Sequence, residues 1–374
     1  MEPAARKLKP ATGQARLPLF LRAAWGQDTP RAPIWVMRQA GRYLPEYREI
    51  KSKASFWEMC RTPELAAEIT LQPIRRFGLP EQTVLDAAII FNDIMTPLPP
   101  MGVEIEFSPG PVIQKPLRSL KEIEALTVPS QAEIAPFLEA AIKLARHELE
   151  PTGTPLIGFG GAPLTLATYL VQGSGSKDFE HFRVFLRTEP KAAHLLLEKL
   201  TELSIRYLKA QIEAGAQAVQ LFDSWAGLHD QRTYREFALP YNRRVFEALS
   251  GLETTSPNGL SEAPRIYLAV GSSHLYPVIQ ELPCEVFSLD WRMELGQIRS
   301  FFPGRTLQGN LDPTVLLASL PVITEEAERV LQGGLGGPHI FNLGHGILRE
   351  TPPEHLAHLI RVVRAFDRQQ ANQR

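Results

Sequence analysis

The stretch TVLDAAIIFND, Thr83 to Asp93, decides the fold. It runs apolar from Ala87 to Phe91 and closes on Asn92 and Asp93, the profile of a buried strand that ends in a polar loop. The same profile recurs in APIWVMRQAG (32–41), PLIGFGGAP (155–163), AVQLFDSW (218–225), RIYLAVGSS (265–273), EVFSLDW (285–291), TLQGNLDP (306–313) and HIFNLGHG (339–346). Most of the intervening segments, such as RTYREFALPYNRRVFEAL and PTVLLASLPVITEEAERVLQ, have helical periodicity and charged faces. RMELGQIRSFFPG is short but still long enough for a helix.

Eight strands alternating with helices predict an α/β protein, a closed parallel (β/α)8 TIM barrel, with a doubly wound open sheet as the alternative. The barrel needs about 250 residues, so a chain of 374 has room for an N-terminal extension and enlarged loops. Residues 1–16 read as a mobile extension and 17–374 as a single catalytic domain. The segment 250–264, SGLETTSPNGLSEAP, reads as a surface loop rather than a linker.

Lysine and arginine total 40 against 41 acids, a net charge of −1. No global basic field points to nucleic acid or an anionic membrane, so any anion must be held locally. Cys60 and Cys284 are the only cysteines and form no CxxC pair, which fits a reducing compartment without a disulfide framework or structural zinc. The N-terminus lacks an apolar signal core, and no apolar run reaches the roughly 18 residues of a membrane helix. The expected location is the cytoplasm.

In a barrel of this kind the chemistry sits at the carboxyl ends of the strands. That rule separates two aspartates in one stretch: Asp86 falls near a strand start, on the stability face, and Asp93 lies past the apolar run, at the mouth. Asp93 is the functional candidate, with a helix N-cap or loop brace as its structural alternative, a role Asn92 could share. In VMRQAGRYLPEYRE, Arg38 and Arg42 flank Gln39, Ala40 and Gly41, whose small residues allow backbone N–H groups to approach a ligand. Two guanidiniums suit carboxylates or phosphates, unless acids such as Glu46 neutralise them.

GFGGAPLTLATYL superficially evokes a dinucleotide loop, but Pro163 stands where the third glycine belongs and no acid follows at the right distance. Its glycines point instead to a close approach of something bulky. Tyr169 follows, either lining a site or filling a helix core. Ser224, in LFDSWAG, has no nucleophile elbow around it and reads as a cap or a ligand hydrogen bond. His345, between two glycines at the last strand end, is a ligand or acid–base candidate against a structural alternative. His274, the Asp290–Trp291 pair and the QGNLDP turn, Gly309 to Pro313, are second-tier strand-end positions.

The segments VMRQAGRYLPEYRE, DAAIIFNDIMTPLPPMG, GFGGAPLTLATYLVQGSGS, QLFDSWAG, LDW, QGNLDP and NLGHGI together resemble the uroporphyrinogen decarboxylase family of tetrapyrrole biosynthesis. The resemblance implies a homodimeric barrel that uses no cofactor and no metal. It also implies conversion of the four acetate side chains of uroporphyrinogen to methyls, giving coproporphyrinogen. Carried over residue by residue, it implies that Arg38, Gln39, Ala40, Gly41 and Arg42 form a substrate loop, that Asp93 faces the pyrrole nitrogens, and that Tyr169, Ser224 and His345 contact substrate. Some members carry histidine where Trp225 stands.

For that chemistry a pyrrole protonated on its ring carbon is its own electron sink, so the protein must stabilise a transient cation and hold carboxylates. Asp93 suits the first task. Arg38 and Arg42 suit the second, meeting Asp93 within one pit, with His345 or a water as proton source. The competing functions are a corrinoid-linked methyltransferase, whose His-x-Cys zinc site is missing around both cysteines, and a non-catalytic tetrapyrrole carrier.

Overall fold

The computed structural model describes residues 17–78, 85–107, 110–256 and 259–371; the extension expected to be mobile, 1–16, lies outside them. The strands in chain order are β1 (Ala88–Ile89), β2 (Ile105–Phe107), β3 (Pro111–Ile113), β4 (Leu156–Gly161), β5 (Ala218–Asp223), β6 (Glu253–Ser256), β7 (Gly259–Glu262), β8 (Arg265–Ala269), β9 (Val286–Leu289), β10 (Thr306–Leu311) and β11 (His339–Leu343). Seven of them form one parallel sheet in the order β1-β4-β5-β8-β9-β10-β11.

The sheet closes through Pro33 to Val36, the first of the eight expected strands, which is present as a single stave. Ile34 bridges Phe341 of β11 in parallel. The Phe341 N–H donates to the Pro33 carbonyl at 2.8 Å, and on the other flank the Asp86 N–H, just ahead of β1, donates to the Ile34 carbonyl at 2.8 Å. This stave forms only a fragment of ladder: the Trp35 N–H donates to the Phe341 carbonyl at 3.4 Å, and its other donors are missing or taken by side chains. Pro33 has no N–H. Ile34 donates to the Asp86 carboxylate at 2.8 Å, Val36 to Gln39 Oε1 at 3.0 Å and Met37 to Asn342 Oδ1 at 2.9 Å.

A hydrogen-bonded layer crosses the barrel interior. Trp35 Nε1 donates to Gln308 Oε1 at 3.0 Å, and Gln308 Nε2 donates to Gln220 Oε1 at 3.0 Å and Ser288 Oγ at 2.9 Å. Gln220 Nε2 is left without a partner among the described residues, while the other polar groups of the layer satisfy one another and so are buried at little cost. On the outside, the helix Pro190–Glu213 lies almost on the backbone of β4. A methyl on Gly158 would sit 2.7 Å from Gln211 Oε1, and one on Gly160 3.3 Å from Leu208 Cδ2. The glycines of GFGG therefore serve strand-to-helix packing.

Two antiparallel hairpins decorate the barrel, β2 with β3 and β6 with β7. The second corrects the reading of 250–264 as loop alone: Thr254 and Thr255 pair with Ser261 and Leu260, as β-branched residues favour strands.

Asp86 sits at the amino end of the barrel. Its carboxylate takes both Arg31 guanidinium nitrogens at 2.7 Å each, besides the Ile34 N–H. It fastens the closing stave to the second strand.

Candidate active site

At the opposite rim, the backbone after β1 turns sharply around Asp93. Asp93 Oδ1 accepts the Met95 N–H at 2.9 Å, while Asn92 Oδ1 accepts the Asp93 N–H at 2.8 Å and the Thr96 hydroxyl at 2.5 Å. Asn92 Nδ2 in turn donates to the buried Tyr207 hydroxyl at 3.4 Å. Asp93 thus braces its own turn with one oxygen, as the structural alternative holds, and Asn92 shares the task. Its Oδ2 has no hydrogen-bond partner among the described residues. Burial pushes the Asp93 carboxyl above its ordinary range, and the Met95 N–H and the Arg38 charge pull it back.

Arg38 has a left-handed backbone, φ 63°, unusual for a residue with a side chain and a feature that concentrates at functional sites. Its guanidinium stem runs across the Gly344–His345–Gly346 turn. A methyl on Gly346 would overlap it, with Arg38 Cγ 2.9 Å away, and one on Gly344 would stand 2.6 Å from the Trp291 nitrogen. The glycines around His345 are therefore clearance for Arg38 and Trp291. His345 is half-buried. Its pKa falls to about 4, first through burial and then through the Arg38 and Arg292 charges, so the ring is neutral at pH 7.

Tyr169, on the helix Pro163–Gln172, is half-buried, its ring edge-on to Trp225 at 5.9 Å and to Phe179 at 6.2 Å between centroids. Burial raises its hydroxyl pKa, and both Asp93 and Arg38 act on it. Ser224 follows β5 next to Trp225, half-buried, its hydroxyl without a hydrogen bond among the described residues. The turn is held from below by Asp223, which is fully buried and accepts from Thr165 at 2.8 Å, Tyr267 at 2.8 Å and Asn242 at 3.1 Å. Thr165 lies on the Tyr169 helix and also accepts the Trp225 N–H at 3.3 Å. Asp223 therefore locks Tyr169, Ser224 and Trp225 to one another.

Arg38, Asp93, Tyr169 and His345 thus share one electrostatic neighbourhood at the carboxyl rim, and Ser224 adjoins it. One member of the expected loop stands apart. Gln39 is completely buried: its side chain joins the Val36 N–H to the Ala87 carbonyl, and its own carbonyl accepts from Tyr43. It positions the loop and has no side-chain atom to offer a ligand. Arg42 is exposed and lines a groove with Arg48, Lys51, Arg349 and Glu350. Arg38 is bent back over Gly346, and Arg42 leads towards the helix Pro45–Lys51.

Neither arginine has an ion-pair partner among the described residues. Glu46, the suspected neutraliser, pairs with Arg76 at 3.1 Å. The backbone N–H groups of Ala40, Gly41 and Arg42 likewise have no acceptor among the described residues. Three free donors beside a guanidinium make a local anion cradle.

The second-tier positions serve the fold. His274 Nε2 meets the His229 carbonyl at 2.8 Å, Asp290 receives the Gly271 and Arg292 backbone N–H groups, Asn310 donates to the Asp290 and Met293 carbonyls, and Asp312 caps the turn at Thr314. Sequence reading missed Arg292, which acts on His345, and Phe179, whose ring lies 4.4 Å from Trp225. Neither carries a local motif. Among the described residues no group of three His, Cys, Asp or Glu side chains could hold a metal, and no helix is long and apolar enough to cross a membrane.

Comparison with known proteins places this geometry in context. The solved structure of a methyltransferase from Methanosarcina mazei superposes with a TM-score of 0.76 at 21% identity, covering 93% of this chain and 99% of that one, a likeness of fold. The uroporphyrinogen decarboxylase of Citrifermentans bemidjiense is 44% identical over 350 residues, 93% of this chain and 98% of the relative. That of Geobacter metallireducens is 45% identical over 346 residues, 92% and 97% respectively. The sequence profile described as uroporphyrinogen decarboxylase (URO-D) matches residues 16–366. With a match over nearly its whole length, the chain belongs to the uroporphyrinogen decarboxylase family.

Proposed function

We propose that this protein removes the four acetate carboxyls of uroporphyrinogen III as CO2, giving coproporphyrinogen III, with Asp93 as the catalytic residue. The observation that carries the reading is the Asp93 carboxylate itself, half-buried at the barrel mouth with one oxygen committed to its turn and the other free, in the field of Arg38.

Decarboxylation needs an acceptor for the electrons of the C–CO2 bond. A proton added to the pyrrole carbon beside the acetate makes the ring a cation; those electrons then move into the ring as CO2 leaves. A second proton on the exocyclic carbon, with loss of the first, leaves a methyl group. The sum is one proton consumed and one CO2 released per acetate. The pyrrole thereby takes the part a cofactor plays in other decarboxylases.

Asp93 suits the cationic stage. A fixed carboxylate facing the pyrrole N–H groups, held by Met95 and Asn92, stabilises the ring cation without reorganising as it forms. Arg38 and the free N–H groups of Ala40, Gly41 and Arg42 take substrate carboxylates. Neutral His345 hydrogen-bonds to substrate rather than storing a proton, because a ring with a pKa near 4 is deprotonated at pH 7. Tyr169 and Ser224 add hydroxyl contacts.

The same reading has the enzyme working in the cytoplasm as a homodimer; both cysteines are buried free thiols, as a reducing compartment allows. The test of function is anaerobic incubation with uroporphyrinogen III, counting product carboxyl groups. Four per macrocycle supports the reading. Eight, with tight binding, makes the protein a carrier.

A further inference from the structure

A glycine-rich turn, Gly334 to Pro338, carries the chain from the helix Leu320–Gly333 into β11 at the amino end of the barrel, the rim opposite Asp93. Two guanidiniums pack onto it. Arg299 Nη1 donates to the Arg305 carbonyl at 2.9 Å and Nη2 to the Pro338 carbonyl at 3.2 Å. A methyl on Gly337 would stand 2.9 Å from Arg299 Nη1. Arg368, only 7% exposed, donates from Nη2 to the Gly334 carbonyl at 3.1 Å and the Gly337 carbonyl at 2.7 Å. Both side chains therefore brace the turn.

Bracing leaves charge and donors over. Neither arginine has an ion-pair partner among the described residues. Burial lowers both pKa values, that of Arg299 to about 10 with the Arg368 charge adding to the effect, so both stay cationic at pH 7. Both charges also act on the buried His339 behind the turn. Against two full charges, the carboxyl end of the helix supplies about half a negative one, and Asp28, which acts on Arg368, is exposed. Like charges drawn out of water without a counter-charge are costly. Each guanidinium has donors to spare, and Arg299 Nε is buried with no partner among the described residues. The consecutive N–H groups of Gly336 and Gly337 have no acceptor among them either, and the space beside Gly336 is open.

We propose that Arg299, Arg368 and the Gly336–Gly337 turn form a binding site for a phosphate-class oxyanion at the amino end of the barrel, separate from the chemistry at the mouth. Guanidinium forks match a tetrahedral oxyanion with paired donors, and successive backbone N–H groups make a nest for one. The bound anion supplies the missing counter-charge. Because Arg368 lies near the carboxyl end of the chain and its N–H donates to the Pro30 carbonyl at 3.2 Å, the anion also fastens the two ends of the described chain to the last strand. Such a ligand binds the folded state alone and stabilises it by mass action.

The test is thermal unfolding and calorimetric titration of the full chain with inorganic phosphate, and separately with ribose 5-phosphate. Saturating ligand should raise the melting temperature by about 2 °C or more; tighter binding of one or the other tells a free phosphate from a phosphate monoester. Phosphate can also enter the cradle beside Arg38, so Arg38→Gln is the control and should keep the stabilisation. Arg299→Gln should weaken phosphate binding at least tenfold while kcat/KM for uroporphyrinogen stays within about twofold of wild type. Gly337→Ala keeps every charge, needs no left-handed backbone and pushes the Arg299 fork aside, so it should weaken binding as well. Stabilisation that is missing in the wild type, lost in Arg38→Gln, or untouched in both Arg299→Gln and Gly337→Ala would overturn the proposal. Should Arg299→Gln not fold, wild-type crystals grown in selenate decide: an anomalous peak between Arg299, Arg368 and Gly336 supports the site, and no peak there overturns it.

Discussion

Gly346 lies so close beneath the Arg38 side chain that a methyl group on it would stand 2.9 Å from Arg38 Cγ. Two residues over 300 positions apart in sequence therefore fix one guanidinium over the barrel mouth. Gly346→Ala requires no unusual backbone and should leave the melting temperature close to wild type, while the displaced arginine lowers kcat/KM about tenfold or more, about 1.4 kcal/mol of transition-state binding. Steady-state kinetics with a thermal melt checks both halves.

Arg38→Lys keeps the charge and loses the fork. A lysine presents one point charge where the guanidinium offers parallel donors. The expected outcome is a higher KM with a smaller change in kcat, read from initial rates.

Asp86→Ala should unfold the barrel at its seam rather than slow its chemistry. The variant strands the mostly buried Arg31, whose two 2.7 Å bonds it loses, and frees the Ile34 N–H. The cost is about 2–4 kcal/mol, seen as a lower urea midpoint, with the kcat of the folded fraction near wild type.

The two aspartates show how much was legible in the sequence. The rule that strand ends carry chemistry separates Asp86 from Asp93 without coordinates, and each of the eight runs forms its part of the ring. The manner of closure was not legible, because the stave at Ile34 is stitched by side chains 52 and 305 positions away, beyond any local pattern. Gln39 reads as a loop residue among ligand candidates, yet its amide is consumed by backbone on both sides. The groove at Arg42 needed Arg48 and Lys51 on one helix to meet Arg349, from the far end of the chain. The hairpin at 253–262 was hidden by a composition that suits a turn, while its two threonines favour a strand.

Three histidines carry a pH signature. Burial lowers His229 and His345 to about 4 and His339 to about 3, against an ordinary value of about 6.5. Between pH 6.5 and about 4 the unfolded chain binds protons that the folded chain does not, so stability must fall as pH falls through that window. Ring nitrogen shifts followed by NMR should report neutral imidazole for all three from pH 8 down to about 5, and His339→Gln should flatten the acid limb of the stability curve. Because His345 does not titrate near 6.5, the kcat profile should show no inflection there that His345→Gln abolishes.

The central claim is that the Asp93 charge, and not its shape, drives turnover, and Asp93→Asn isolates it. Asparagine keeps the oxygen that accepts the Met95 N–H. Because burial raises the Asp93 pKa, removing the charge should leave stability at pH 7 equal or slightly higher. Single-turnover decarboxylation of uroporphyrinogen III by this variant should be slower on the order of a hundred- to a thousandfold, about 3–4 kcal/mol. A folded Asp93→Asn protein that strips acetates at the wild-type rate would contradict the account.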